Sequence, residues 1–191
     1  VNRIRENKLK SYGEAEGLAP VSIVPITEDK GGDIWMGATC GGLIRFDAGL
    51  FTTYRGKDGL PNDCVWALCA DRDGSLWIGT WGGGLTHLRD GRFTSYNPEN
   101  SAISGRVVKA IWQDPAGALW VGTDAGLSRF QNGQFKVWRE ADGLINDRVN
   151  FVTGDAQGAI WICTNAGLSR FKDGAFTNYT TQGGLSNVSV R

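Results

Sequence analysis

The residues of this chain that could take part in chemistry are few. The sequence has one histidine, His87, among its 191 residues. A catalytic base needs a nucleophile and an orienting partner within reach, and no motif supplies them, so we interpret His87 as structural. Four aspartates recur ahead of glycine-containing turns, and we predict that they cap those turns: Asp29, Asp71, Asp114 and Asp155. The sequence therefore predicts no catalytic residue.

The four cysteines do not form a metal site, because no pair has the C-x-x-C spacing of zinc ligands. Cys64 and Cys69 share one extended segment. At ~3.3 Å per residue they lie roughly 16 Å apart, too far for a disulfide. Cys40 and Cys64 could meet if both lie on one loop face, so the cysteines alone leave the cellular compartment open. Neither a metal nor a cofactor is predicted.

These residues sit in a repeat. Trp35, Trp77, Trp120 and Trp161 are spaced by 42, 43 and 41 residues. Each follows one of the recurrent aspartates by six residues and is followed by a Gly-Leu pair and a G-x-F-x-x-aromatic unit. Each unit reads as four short strands bounded by Gly, Asp or Asn. Four-stranded antiparallel units of this length are typical of β-propeller blades.

We therefore predict an all-β protein, a β-propeller with four complete four-stranded antiparallel blades plus a half blade. We name the strands of a blade a to d, from the inside outward. Residues 1–18 are predicted to hold strands c and d of an incomplete blade. The later units are blade 1 (19–60), blade 2 (61–103), blade 3 (104–144), blade 4 (145–185) and the start of a further blade (186–191). The unmatched ends predict an open arc cut from a larger, seven-bladed propeller.

The charge balance argues against one class of binding partner. Lys and Arg number 20, as do Asp and Glu, so the formal net charge is zero. A nucleic-acid partner would need a basic excess, so we expect none.

Residues that recur in every unit occupy symmetric positions, whereas a ligand site needs asymmetry. The candidate site residues are therefore those that do not recur in every unit. Propeller ligands usually bind the face that carries the d–a and b–c loops. Trp81 on a b–c loop is the best candidate for a stacking contact, because an exposed aromatic side chain usually packs or binds. Trp66 and Trp112 lie on innermost strands, where they either line the channel or pack between blades. The remaining loop-face candidates are Asp124, Asn165, Asn62, Asp63, Arg106, Asn146, Asp147 and Arg148.

The repeat resembles the two-component regulator propeller repeat. The second unit carries the motif most fully, as DRDGSLWIGTWGGGLTHLRDGRFTSY (71–96) led in by KDGLPNDCV (57–65). Elsewhere the repeat departs from the family pattern at Cys163, which replaces a glycine, and at 97–104, which replaces D-G-L. In that family such repeats form the extracytoplasmic sensing region of bacterial membrane receptors, ahead of a histidine kinase or diguanylate cyclase.

The resemblance implies a non-catalytic, ligand-sensing fragment on the periplasmic side of an inner-membrane receptor. The expected ligand is an oligosaccharide or another small molecule. Other expected partners are the remaining blades or a second propeller of the parent chain, and a second copy in a homodimer. Two alternatives stay open at this point: a scaffold that docks other proteins, and a lyase-type propeller enzyme similar to streptogramin lyase.

Overall fold

The computed structural model describes residues 1–5, 8–187 and 189–190, and it consists of small antiparallel sheets. A two-stranded sheet precedes four four-stranded sheets, and consecutive strands are neighbours in every sheet. The predicted all-β propeller architecture is confirmed. The strands are β1 Asn2–Arg5 and β2 Lys8–Ser11; β3 Ile23–Glu28, β4 Ile34–Ala38, β5 Gly42–Asp47 and β6 Leu50–Tyr54; β7 Val65–Ala70, β8 Leu76–Thr80, β9 Leu85–Arg89 and β10 Arg92–Tyr96; β11 Val108–Gln113, β12 Leu119–Thr123, β13 Gly126–Gln131 and β14 Gln134–Trp138; β15 Val149–Gly154, β16 Ile160–Thr164, β17 Gly167–Lys172 and β18 Ala175–Tyr179.

Helical structure in the described residues is limited to three-residue 3-10 turns, which lie in the d–a connections. They span Glu14–Glu16, Gly56–Asp58, Glu140–Asp142 and Thr181–Gly183. None of the described helical segments has the length and apolar character that a membrane crossing requires.

The second strand of each blade is the structural centre of its sheet. In blade 2 all five residues of β8 are buried, because this strand has a neighbour on each side and a blade against each face. The following turn requires a glycine at Gly84, whose φ is 83°. A Cβ there would collide with the carbonyl oxygen of Tyr96. The turn therefore brings β9 back close against β10.

Adjacent blades pack through their inner strands and their aromatic side chains. The inner strands β3, β7, β11 and β15 contact one another in that order. In the described part of the chain, β15 does not pack against β3 in the same way, so the blades form an open arc. At the outer strands, an aromatic residue of one blade packs against a phenylalanine of the next. The pairs are Tyr12–Phe46, Tyr54–Phe93, Tyr96–Phe130 and Trp138–Phe171, with ring centroids 5.0 to 6.0 Å apart.

The inner strands share one irregularity. Each pairs with its neighbour through a register shift, which lies between Ile23 and Ile26, Val65 and Ala67, Val108 and Ala110, or Val149 and Phe151. Such a bulge re-aims the side chain of the extra residue. In blades 2, 3 and 4 that residue is Trp66, Lys109 and Asn150 respectively.

Two parts of the sequence-based prediction fall partly outside the described residues. The segment 186–191, predicted to begin a further blade, includes Val188 and Arg191, and the predicted half blade (1–18) includes Glu6 and Asn7. These four residues are not among those described.

Candidate functional site

The recurrent aspartate and tryptophan of each blade form one corner. Asp114 Oδ1 accepts a hydrogen bond from the Ala118 backbone N–H at 2.9 Å, and its Oδ2 accepts one from Trp120 Nε1 at 3.0 Å. The same indole-to-carboxylate bond joins the other three pairs at 2.7 to 2.8 Å. The aspartates cap the turns as predicted. They also accept a hydrogen bond from the indole N–H. This second role was not predicted, although the constant six-residue spacing between aspartate and tryptophan indicates it.

A cation lies against the tryptophan of three corners. The guanidinium groups of Arg45, Arg129 and Arg170 lie 5.5 to 5.8 Å from the ring centroids of Trp35, Trp120 and Trp161. In blade 2 the equivalent residue is His87, whose ring stacks on Trp77 at 4.0 Å and 8°. His87 therefore takes the place of an arginine in a packing position.

His87 has polar neighbours that superficially resemble a catalytic triad. Ser75 Oγ lies 2.5 Å from Asp73 Oδ1 and 2.6 Å from His87 Nε2. A carboxylate only accepts, so Ser75 donates its proton to Asp73 and receives the Nε2 proton of His87. The hydrogen bond from Ser75 holds the pKa of Asp73 below its ordinary value, and burial lowers the pKa of His87. In this arrangement His87 cannot act as the base that activates Ser75.

Cys40 and Cys64 are joined by a disulfide. Cys40 lies on the b–c loop of blade 1, and Cys64 directly precedes β7 of blade 2. The bond thus ties two blades together, and the backbone carbonyl of Cys64 also accepts a hydrogen bond from Trp81 N at 2.9 Å. Cys69 and Cys163 are free thiols, and burial raises the pKa of Cys69 to about 11.

Trp66 and Trp81 come together beside this disulfide. Their ring centroids are 5.0 Å apart at an interplanar angle of 44°. Trp81 keeps 46% of its surface exposed and Trp66 is half-buried. We call this pair the tryptophan platform. Trp112 lies elsewhere: it packs against Gly154 and the core between blades 3 and 4.

The loop-face residues around the platform are partly engaged with the backbone. The Arg106 carbonyl accepts hydrogen bonds from Gly82 N and Gly84 N, and its guanidinium is ion-paired with Glu99. Asp124 Oδ1 accepts a bond from Val107 N at 3.2 Å, and Val107 in turn bridges to Trp81. The side chain of Asn62 caps Cys64 N at 2.8 Å, and that of Asp63 caps Gly56 N at 2.9 Å.

The candidates on blade 4 form a second group. Asp147 Oδ1 accepts a bond from Glu140 N at 2.8 Å, and Asn146 binds Glu140 Oε1 at 2.9 Å. Arg148 is exposed, and its carbonyl accepts a bond from Asn165 N. Asn62 and Asn146 share a capping role with Asn187, so the recurrence of this asparagine could have marked it as a turn residue.

Two inner-strand residues that the sequence analysis did not select connect the two groups. Lys109 Nζ lies 5.8 Å from the ring centroid of Trp81 and 3.3 Å from Asn150 Oδ1. Asn150 Nδ2 donates to Asn165 Oδ1 at 2.8 Å. A row of side chains therefore runs across three blades: Trp66, Trp81, Lys109, Asn150 and Asn165. Trp66, Lys109 and Asn150 are the bulge residues of their inner strands, and Trp81 and Asn165 directly follow β8 and β16, which pair with β7 and β15.

The described residues contain no group of three or more His, Cys, Asp or Glu side chains suited to hold a metal ion. The candidate site is thus an aromatic surface that is contacted by the Lys109 ammonium group and continues into the amides of Asn150 and Asn165, with Arg106, Asp124 and Asp63 on the surrounding loops. Such a surface binds the apolar face of a ligand and orients its polar groups.

The motif that leads into the platform identifies the repeat. Residues 59–82 match the family model described as two component regulator propeller. This segment is a two-component regulator propeller repeat. It runs from the end of blade 1 through the central strand of blade 2 to Trp81 and Gly82, so the tryptophan platform lies within it. No curated protein matches the chain.

Solved structures share the fold. The chain is 26% identical to the extracellular domain assigned to a hybrid two-component system of B. thetaiotaomicron, with a TM-score of 0.81, over 88% of this chain and 24% of that one. A second such domain from B. thetaiotaomicron is 23% identical, with a TM-score of 0.70, over 86% and 25%. Virginiamycin B lyase from Staphylococcus aureus is 21% identical, with a TM-score of 0.74, over 94% and 62%. The chain thus spans about a quarter of the length of the two sensor domains.

Proposed function

We propose that the chain is part of an extracytoplasmic, ligand-sensing propeller of a bacterial membrane receptor of the two-component type. In this proposal the segment is not catalytic. Its ligand is a carbohydrate or another small molecule, bound at the tryptophan platform on the loop face.

The observation that carries the proposal is the contrast between the platform and the other tryptophans. Each corner tryptophan is held by an aspartate, and Trp35, Trp77 and Trp120 are buried. Trp81 remains 46% exposed on a short loop although it touches Trp66. Exposing an aromatic ring to water is unfavourable, so a partner that covers it gains binding free energy. The C–H faces of a sugar ring suit such a surface.

Two observations support a location outside the cytoplasm. Disulfides form and persist in oxidising compartments such as the periplasm, and the Cys40–Cys64 bond fits one of these. The sensor domains that the chain resembles are extracellular. We also propose that the receptor is anchored in the inner membrane, as the resemblance to the repeat family implies.

The position of the platform suggests how binding is transmitted. Trp66 and Trp81 belong to blade 2, and Lys109 beside them belongs to blade 3. A ligand that touches both blades favours one packing of the blades over another, because ligands shift equilibria by their differential affinity. The remaining blades, a second propeller or a second copy of the receptor would pass this shift to an output domain.

The lyase-like alternative is less well supported. The histidine of this chain is stacked on Trp77 and donates to Ser75, so it is committed to packing. The likeness to virginiamycin B lyase, at 21% identity, concerns the fold.

Calorimetry against a panel of soluble oligosaccharides tests the proposal. We expect a member of the panel to bind the protein, and Trp81→Ala to weaken that binding about tenfold, or about 1.4 kcal/mol. Leu50→Ala is the matched control, because it also removes an exposed apolar side chain but lies at the β5–β6 hairpin at the other end of a blade.

We expect Leu50→Ala to bind as the unmodified protein does. Equal binding by Trp81→Ala and the unmodified protein would place the ligand elsewhere and contradict the proposed site. The absence of binding to every oligosaccharide would contradict the proposed ligand class.

A further inference from the structure

Lys109 is a charged residue at the bulge position of an inner strand. The equivalent residues in blades 2 and 4 are Trp66 and Asn150, which are uncharged. Among the bulge residues of blades 2, 3 and 4, Lys109 therefore carries the one charge, and its ammonium group lies over the exposed ring of Trp81.

The neighbours of Lys109 fix where its ammonium group points. Asn150 Nδ2 donates to Asn165 Oδ1 at 2.8 Å and to the Val190 carbonyl at 3.0 Å. The Val190 carbonyl can only accept, so it sets the amide orientation of Asn150, and Oδ1 of Asn150 faces Lys109. That oxygen accepts from Lys109 Nζ at 3.3 Å. The hydrogen-bonded amides of Asn150 and Asn165 thus hold the Lys109 ammonium group in position.

Asn150 brings no counter-charge to Lys109. An ammonium group has three donors: Asn150 Oδ1 accepts from one, and the group also lies over the ring of Trp81. In the part of the chain that the structure describes, no carboxylate forms an ion pair with Lys109, whereas Arg45, Arg89 and Arg106 each form at least one. A partly buried cation without a counter-charge is unfavourable, and an anion that completes the pair is stabilised in return.

We propose that the tryptophan platform and Lys109 together bind an acidic sugar, that is, a pyranose carrying a carboxylate or a sulfate ester. The sugar ring covers the exposed part of Trp81, and the oxyanion pairs with Lys109 Nζ. This inference rests on the proposed function and adds the charge of the ligand to it.

Disaccharides that differ only at C6 provide the test. Calorimetry compares one backbone in three forms, with a hydroxymethyl group, a carboxylate or a sulfate ester at C6. We expect at least one acidic form to bind the protein about tenfold more tightly than the neutral form, and the advantage to shrink as salt is raised, because screening weakens the ion pair. The carboxylate and sulfate arms show which oxyanion the site prefers.

Three variants assign the effect to Lys109. Lys109→Gln should reduce the acidic-to-neutral ratio to within about twofold, and Lys109→Arg should keep most of it. Lys136→Gln is the control: Lys136 also lies in blade 3 over a tryptophan ring, 5.0 Å from the centroid of Trp138, but far along the sheet on β14. It removes the same charge and the same type of contact and should leave the ratio unchanged.

A fourth variant supplies the missing carboxylate from the protein itself. Asn150→Asp places an anion beside Lys109 Nζ, so it should reduce binding of the acidic form at least fivefold while the neutral form binds as before. Circular dichroism and thermal unfolding of each variant confirm that it is folded.

The outcomes separate the two proposals. Equal binding of the neutral and acidic forms, with Trp81→Ala weakening both, overturns the acidic-sugar inference and leaves the proposed function standing. If Lys136→Gln lowers the acidic-to-neutral ratio as much as Lys109→Gln does, the inference is also overturned. The preference for acidic sugars would then come from the net charge of the protein and not from a contact with Lys109. Failure of all three forms to bind overturns the inference and the proposed carbohydrate ligand together.

Discussion

The Asp–Trp corners and the inner-strand row both contain tryptophan but use it to different ends. In a corner such as Asp114 and Trp120, both carboxylate oxygens, the indole N–H and the Ala118 N–H have partners. In the row, Trp81 is half-exposed and Lys109 has one neutral acceptor. The corners recur in every blade, whereas the row changes from blade to blade.

This difference follows from what each region must do. In every blade the corner carboxylate and indole satisfy each other, so this pair does not depend on which blade comes next. The bulge residue Lys109 instead contacts other blades, through Trp81 of blade 2 and Asn150 of blade 4. Trp66, Lys109 and Asn150 can therefore differ without disturbing the stacking of the blades.

The largest effect should come from the disulfide, which joins blades 1 and 2 beside the inner-strand row. Replacing Cys40 and Cys64 together by serine should lower the free energy of unfolding by about 3 kcal/mol, because the closed loop no longer restricts the unfolded chain. Urea denaturation under non-reducing conditions measures it. Cys163→Ser, a free half-buried thiol, should change it by less than about 1 kcal/mol. If adding dithiothreitol leaves the unfolding midpoint unchanged, the bond does not stabilise the fold.

A corner aspartate should rank second. Asp114→Ala removes the acceptor for Ala118 N and for Trp120 Nε1, both buried, so it should cost about 2 kcal/mol. The measurement is the thermal midpoint together with urea denaturation. Asp124→Ala, on the exposed loop beside the platform, should cost less than about 1 kcal/mol. Equal losses in the two variants would remove the distinction between corner and row.

The smallest effect concerns the corner of blade 2, where a histidine replaces the arginine. Burial lowers the pKa of His87 in the folded state below its ordinary value of about 6.5. The unfolded chain then binds the proton more readily, so stability should fall as the pH drops through about 6.5. His87→Arg restores the charged residue of the other blades and should flatten the stability profile between pH 7 and 5. An unchanged slope in the variant would show that another group titrates there.

The repeat made much of the fold predictable. The spacing of the four tryptophans and the glycine-bounded strands gave the blades, and the position of the aspartates ahead of glycine-containing turns gave the turn caps. The sequence could not show whether Cys40 is free or bonded, because the distance between Cys40 and Cys64 depends on how blades 1 and 2 stack. Lys109 and Asn150 were missed for a related reason: the register shift that turns both towards Trp81 and Asn165 is a property of strand pairing, and a lysine in a strand carries no marker of it.

Indole N–H resonances of the eight tryptophans test the central claim most directly, because every tryptophan reports on its own region. In the free protein, the indoles of Trp35, Trp77, Trp120 and Trp161 should exchange slowly with solvent, since aspartates hold them. Trp81, whose indole N–H has no side-chain partner among the described residues, should exchange fast. Titration with the C6-carboxylate disaccharide should shift and protect the Trp81 resonance and leave the four aspartate-bound resonances in place. A titration that shifts the corner indoles while Trp81 stays unchanged would contradict the account.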